Sequence, residues 1–429
     1  MASIVRTFSR LFAFDHGLGN LPGHWVHFHR LVTDEARRAG LEVNLFGYSE
    51  IRPELVGDLP VWKLFRHSPA TCFSPDITEN TRLRNEAFLA DLQQLAPHDF
   101  GPGDVFLFTF VMNYELEGIL RFARLFERAQ APTFVVLLQF DNGLAVLPED
   151  TEDLPWLIRF DRLLRRLRPA RLDSGSIVGD LYRDAVARGR AGHDGAPVVF
   201  MAPSHGLDGL FARILREPVH PYCMPGPRPS DMGTSGGPIA STGSPRVCFL
   251  GHSCIRKGLH LVPEVVELTH RRLPDVRFDV QVNYNDDYPL RSIFEGLFDQ
   301  QPRGVQFHRG HLDTAAFYDI LNRADIVLCP YSRDVYAYMP SGLLREALAL
   351  GKVVVLPAGT SLERQAVSVQ AAAVAFSDQR AADISLALDV ALAQLPELKR
   401  KAAHAALRWN AEHNPTRFMD QILLQAQAA

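Results

Sequence analysis

Residues 330–360 read P-Y-S-R-D-V-Y-A-Y-M-P-S-G-L-L-R-E-A-L-A-L-G-K-V-V-V-L-P-A-G-T, and their reading decides the fold. Just before them, Ile326, Val327, Leu328 and Cys329 form a short apolar run that Pro330 stops, as expected of a buried parallel strand. Ser341 and Gly342 then open a helix through Leu343, Leu344, Ala347, Leu348 and Leu350, and Gly351 closes it. Val353 to Leu356 is the next buried strand. A small-residue pair at a helix start leaves backbone N–H groups and the positive end of the helix dipole facing outward, a site suited to phosphate. Glu346 lies one turn further in, where a carboxylate can accept hydrogen bonds from sugar hydroxyls beside that phosphate. The stretch therefore predicts strand, loop, helix, turn and strand around a nucleotide diphosphate and its ribose.

Composition sets the bounds. A chain of 429 residues is too long for one ordinary core, and two domains of roughly 200 residues each are expected. Hydrophobic residues make up 47% and charged residues 22%, ordinary for a globular protein, and the net charge of -4 gives no general pull toward nucleic acid. Cys72, Cys223, Cys248, Cys254 and Cys329 are scattered and lack C-x-x-C spacing, which fits a reducing, cytoplasmic setting and argues against a disulfide framework or a structural zinc. No apolar run approaches the ~18–20 residues a membrane span requires. The stretch over residues 11–14 reads as the first core strand rather than part of a signal segment, because a glycine loop and no cleavage site follows.

That loop, D-H-G-L-G-N-L-P-G, carries Gly17, Gly19 and Gly23, with His16 and His24 at its flanks. A helix and a strand over residues 41–46 follow, giving a β-loop-α-β unit. Residues 50–104 have no assignable pattern. Residues 105–110 are a strong strand with Asn113, Tyr114 and Glu115 at its C-terminal end, where open α/β sheets bind ligands. A helix over 117–129 leads to a strand over 133–138 that ends in Gln139-Phe140-Asp141-Asn142-Gly143. Asp141 is a candidate for a polar contact to a sugar, or equally an Asx-type turn residue. Arg159, Arg162, Arg165, Arg166, Arg168 and Arg171, with Leu163, Leu164 and Leu167 between them, form a basic amphipathic helix. Its face is either solvated or rests on an anionic membrane surface or acceptor.

Residues 228–244 are rich in Pro, Gly, Ser and Thr and make the clearest boundary in the chain. The second half then opens as the first did. A strand over 247–250 leads into Gly251-His252-Ser253-Cys254-Ile255-Arg256-Lys257-Gly258 and a helix over 259–272. Further on come a strand over 278–282, the run Gln306-Phe307-His308 before Gly310-His311-Leu312-Asp313, and a helix over 314–324. Glu363 and the loop at Gly359-Thr360-Ser361 lie after the strand over 353–356. The tail reads as helices over 380–395 and 397–427, the latter holding Trp409.

The segment around Ser341 and Glu346 resembles the donor-binding segment of retaining glycosyltransferases of the GT-B fold, the group 1 or family 4-like enzymes. Their pattern is Glu, seven residues, Glu, helix, Gly and apolar strand. The resemblance implies that Glu346 binds the ribose of a sugar nucleotide; the first Glu of the pattern falls at Tyr338. It also implies that Lys257 neutralises the donor diphosphate. The family's Arg position is His252, with Arg256 able to substitute from next door. Gly310, His311 and Leu312 would contact the base, and Ser341, Gly342 and Leu343 the diphosphate. The loop of Gly17 and Gly19 would lie at a cleft floor against donor and acceptor, and Gln139 or Asp141 stands where many such enzymes have a His that contacts the transferred sugar.

The implied architecture is α/β, with two Rossmann-like domains facing each other across a cleft. The expected parts are an acceptor domain over 1–227, a linker over 228–244, a donor domain over 245–408 and a helix over 409–429 crossing back. The implied function is transfer of a sugar from a nucleotide-diphosphate sugar to an acceptor hydroxyl, with retention, through Lys257, Arg256, Glu346 and Asp141. No acidic pair is placed for a required metal, so no metal or other cofactor is expected. Two alternatives stand beside this reading: a nucleotide-sugar epimerase, and a non-catalytic binding partner that keeps the fold.

Overall fold

The N-terminal glycine-loop unit is the start of a seven-stranded sheet. In the computed structural model, which describes residues 8–19, 24–140, 177–192, 195–226, 232–233, 243–252, 254–283, 291–300 and 302–429, its strands are β1 (Arg10–Phe14), β2 (Glu42–Tyr48), β3 (Val61–Phe65), β4 (Asp104–Val111), β5 (Thr133–Leu138), β6 (Val198–Pro203) and β7 (Val219–Tyr222). They lie in the order 3-2-1-4-5-6-7, every neighbouring pair parallel. A second sheet holds β8 (Arg246–Phe249), β9 (Arg277–Val282), β10 (Val305–Arg309), β11 (Ile326–Leu328), β12 (Val353–Pro357) and β13 (Ala373–Phe376). Its order is 10-9-8-11-12-13, again all parallel. Both sheets are therefore doubly wound, and in each the order reverses beside the first strand, β1 or β8. Crevices for ligands form at the C-terminal ends of the strands at such reversals.

The chain divides into two units, Met1–Pro225 with Pro415–Ala429, and Gly226–Asn414. The helix Pro415–Ala428 belongs to the first unit because of what it buries. Phe418, Met419, Ile422 and Ala426 enter the core with Phe28, Leu45, Val135 and Tyr222. The Phe418 ring meets those of Phe28 and Tyr222 edge-on, each at 5.6 Å, and Thr416 Oγ1 bonds Glu35 Oε2 at 2.8 Å. In the second unit, helices Val262–Arg272 and Ala381–Ala393 cover one face of the sheet through Val262, Val265, Ile384 and Leu388.

Several boundaries differ from the sequence reading. The helix expected over 117–129 runs Asn113–Ala123. Glu115 ties its start by accepting from the Met112 N–H at 2.6 Å. The tail helix expected over 397–427 is two, Leu395–Glu412 and Pro415–Ala428, since Pro415 cannot continue the hydrogen-bond ladder. Trp409 is fully buried in the first of these. The helix expected from 259 starts at Val262 after two short 3-10 turns, Ile255–Lys257 and Leu259–Leu261. Residues 50–104 hold β3 and the helix Ile77–Leu92, which the sequence reading left unassigned. The linker expected over 228–244 falls mostly outside the described residues, as do Asp141 and the arginine-rich segment 159–171.

Candidate functional site

In the second unit the loops after β8 and β11 pass directly against each other. Gly258 has φ +75°, and a Cβ there would stand 2.1 Å from the Pro330 carbonyl oxygen, so only glycine permits the approach. Two bonds reinforce it: the Ser332 N–H donates to the Arg256 carbonyl at 2.8 Å, and Gln379 Nε2 donates to the Pro330 carbonyl at 3.0 Å. The Lys257 ammonium sits over the Tyr331 ring at 5.8 Å, and its Nζ is 3.1 Å from where a Cβ at Gly251 would be. Burial lowers the Lys257 pKa, the Arg256 charge adds to this, and Glu346 opposes it.

Glu346 lies on the helix Gly342–Ala349. Burial pushes its carboxyl up to about 7, against the pull of Arg345, a hydrogen bond from the Tyr318 hydroxyl at 3.3 Å, and the Lys257 charge. Lys257 and Glu346 thus act on one another at the strand-order reversal. Ser341 Oγ caps this helix by accepting from the Leu344 N–H at 3.3 Å. Gly342 is exposed, with only the Arg345 guanidinium near an added Cβ, at 3.9 Å. Leu343, the second residue of this helix, is buried.

Arg256 is half-buried, and its Nε has no hydrogen-bond partner, an unsatisfied donor that suits an anion. His252 is exposed; burial, then the charges of Lys257 and Arg256, lower its pKa and keep its imidazole neutral near pH 7. Where the resembling pattern has a fixed cation, this chain has a switchable one. Tyr338 is half-buried with the Arg364 guanidinium 5.6 Å from its ring. Arg364 also donates to the Ala337 carbonyl. Glu363 accepts from the Gly359 N–H at 2.7 Å in its own helix cap, so its carboxylate already has a structural partner.

Past β10, Gly310 has φ +74° with nothing within 4 Å of an added Cβ, His311 is exposed and Leu312 half-buried. Asp313 caps the helix Thr314–Arg323 by accepting from the Ala316 N–H at 2.8 Å. That helix carries Tyr318 to Glu346, so the turn at 310–312 and the carboxylate are joined through one element. Two residues here escaped sequence reasoning, Tyr318 and Gln281. The signal for Gln281 was a polar side chain inside the strand F-D-V-Q-V, where burial demands a partner.

In the first unit the glycine loop folds on itself. The Gly17 N–H donates to Asp15 Oδ1 at 2.8 Å, and a Cβ at Gly19 would meet Ile51 at 3.1 Å. Both glycines are buried, and Gly19 has φ +93°. Asp15 Oδ2 lies 2.8 Å from His29 Nε2, both buried. Burial pushes the Asp15 carboxyl up, but the His29 bond and charge, with His16, hold it below the usual carboxylate range. His24 opens the helix His24–Arg38. At the ends of β1, β3 and β4, His16, His67, Arg84, Tyr114 and Glu115 line a pocket. His16 Nε2 is 2.9 Å from Glu115 Oε1, and the Arg84 guanidinium stacks 3.3 Å from the Tyr114 ring centre. Among the described residues no group of three or more His, Cys, Asp or Glu is placed to hold a metal ion, and no helix is long and apolar enough to cross a membrane.

A family described as "Glycosyl transferase-like" matches residues 263–424, a span that includes Tyr338, Ser341 and Glu346 and begins just after Lys257. No curated protein matches the chain by sequence. Solved structures similar over nearly the whole chain include sucrose-phosphate synthase from Thermosynechococcus elongatus (15% identity, TM-score 0.61, 97% of each chain covered). HepE from Anabaena in complex with UDP and glucose is similar at 11% identity and TM-score 0.58, covering 98% of this chain and 100% of that one. The catalytic domain of starch synthase IV from Arabidopsis thaliana, bound to ADP and acarbose, is similar at 12% identity and TM-score 0.59, covering 99% and 100%. With two doubly wound units and that shared fold, the chain has the GT-B architecture, and its residues 263–424 are similar to the glycosyl transferase-like family.

Proposed function

We propose that this protein transfers a sugar from a nucleoside-diphosphate sugar to an acceptor hydroxyl with retention of anomeric configuration. The observation that supports this most is the convergence of Lys257, Arg256 and Glu346 with the open helix start at Gly342, all at the strand-order reversal of the second sheet. When the bond from the anomeric carbon to the diphosphate oxygen breaks, negative charge gathers on the departing phosphates. Lys257, Arg256 and the N–H groups at the helix start would meet it, and such preorganised charge is the largest usual source of rate enhancement. Glu346 would accept from the ribose hydroxyls, and Gly310, His311 and Leu312 would pass beside the base. Similar structures carrying UDP and ADP support a nucleoside diphosphate as the ligand class. The first unit, with its glycine loop and Asp141, would present the acceptor. The donor would need no metal. The protein would work in a reducing cytoplasm, with segment 159–171 resting on an anionic membrane surface.

The test is a thermal-shift titration with UDP, GDP and ADP. A ligand at a hundred times its dissociation constant should stabilise the protein by about 2.7 kcal/mol. Stabilisation by one of them that Lys257→Ala removes supports the reading. If none shifts the wild type, the chain is better read as a non-catalytic partner that keeps the fold.

A further inference from the structure

β9 runs between β8 and β10, and its Gln281 is 3% exposed. The two oxygen and nitrogen ends of its amide reach opposite neighbours. Oε1 accepts from the Gly251 N–H at 2.8 Å, and Nε2 donates to the Gly310 carbonyl at 3.0 Å. Gly251 opens the loop that bears His252, Arg256 and Lys257, and Gly310 opens the turn of His311 and Leu312. One buried amide therefore fastens both loops to the strand between them. Asp279, two residues earlier, is likewise buried and engaged by His308 at 2.9 Å and Arg246 at 3.4 Å.

We infer that Gln281 is a positioning residue that sets the separation between the diphosphate loop and the base turn, so that the two halves of a nucleoside diphosphate are bound as one unit. The inference rests on the proposed nucleotide site. The chemistry at position 281 is restrictive. One side needs an acceptor and the other a donor, at the reach of a Gln side chain. Leucine offers neither group. An ionised glutamate keeps the bond to Gly251 but turns a negative oxygen on the Gly310 carbonyl, leaving a buried repulsive contact. A protonated glutamate regains one donor and one acceptor.

Calorimetric titrations of wild type, Gln281→Leu and Gln281→Glu with UDP, ADP and inorganic pyrophosphate test this. Loss of the two bonds should weaken the preferred nucleoside diphosphate about tenfold, while pyrophosphate, which touches only one loop, should change by less than about twofold on the same reasoning. For Gln281→Glu, the deficit relative to wild type at the same pH should shrink as pH is lowered and the carboxyl protonates. That recovery also keeps the test valid where Gln281→Leu does not fold. Equal losses for pyrophosphate and nucleotide without recovery at low pH, or unchanged nucleotide affinity, would overturn the inference while leaving the proposed function standing. Absence of nucleotide binding in the wild type would instead overturn both.

Discussion

The two units share one topology but equip their strand-order reversals differently. At β8 and β11 the cations outnumber the carboxylates: Lys257 and Arg256 stand against Glu346, beside the start of the helix Gly342–Ala349, whose Leu344 N–H is capped by Ser341. At β1 and β4 the carboxylates already have hydrogen-bond partners. Asp15 is held by His29 at 2.8 Å, Glu115 by His16 and by the Met112 N–H, and the Arg84 guanidinium is laid on Tyr114. Unmatched positive charge invites an anion; matched polar groups around a pocket suit a neutral, hydroxyl-bearing molecule. The proposed division of donor and acceptor between the two units would follow how completely each end satisfies its own charges.

The sharpest way to break that comparison is Lys257→Ala. It should lower turnover by roughly 10²–10³ and remove stabilisation by nucleoside diphosphates, read by steady-state kinetics and thermal shift. Retained nucleotide affinity would move the anion site elsewhere. A smaller effect is expected from pH. In the proposed role, ribose hydroxyls would bond the ionised form of Glu346, whose carboxyl sits at about 7, so nucleotide affinity should rise with pH between about 6 and 8 and level off above. Glu346→Gln should flatten that profile. The sign for folding is opposite: a carboxyl raised from its ordinary 4.5 favours the folded state while protonated, so the ligand-free protein should lose stability as pH climbs from 4.5 to about 7. The smallest effect on nucleotide should come from Glu115→Gln in the first unit. Titration calorimetry should find its nucleoside-diphosphate affinity within about twofold of wild type, because the partners of Glu115, His16 and the Met112 N–H, are not those of Lys257 and Glu346, while the Michaelis constant for acceptor rises.

Much of the second unit was legible because its residues obey local rules. Ser341 caps, Gly351 ends the helix, and the apolar runs of β11 and β12 are uninterrupted. Segment 50–104 was not. β3 is an edge strand that shows Trp62 at 60% exposure while the adjacent pair Leu64 and Phe65 is buried, so its apolar residues do not follow a clean alternation. The helix Ile77–Leu92 buries Thr81, Asn85 and Asp91 on its packed face, which erases an apolar stripe. Asn85 accepts from the Gly118 N–H and donates to the Asn113 carbonyl, each at 3.0 Å, contacts that exist only once two helices meet. Gln281 and Tyr318 were hidden for the same reason. Their partners are far along the chain, and periodicity carries no information about them. The residues named around Lys257, Ser341 and Glu346 do come together, whereas Gly17 and Gly19 lie buried in the first unit, Gly17 bonded to Asp15 and Gly19 against Ile51.

The helix Pro415–Ala428 has a bearing on how the protein is made. It supplies Phe418, Met419 and Ile422 to the first core, yet it follows the whole of the second unit, residues 226–414. At translation rates of roughly 5–20 residues per second, the ribosome spends about ten to forty seconds on that second unit. Throughout that interval the nascent first unit exposes the apolar wall of Phe28 and Tyr222 that this helix will seal. Birth order and completion order are therefore reversed: the half that emerges first is the half that is finished last.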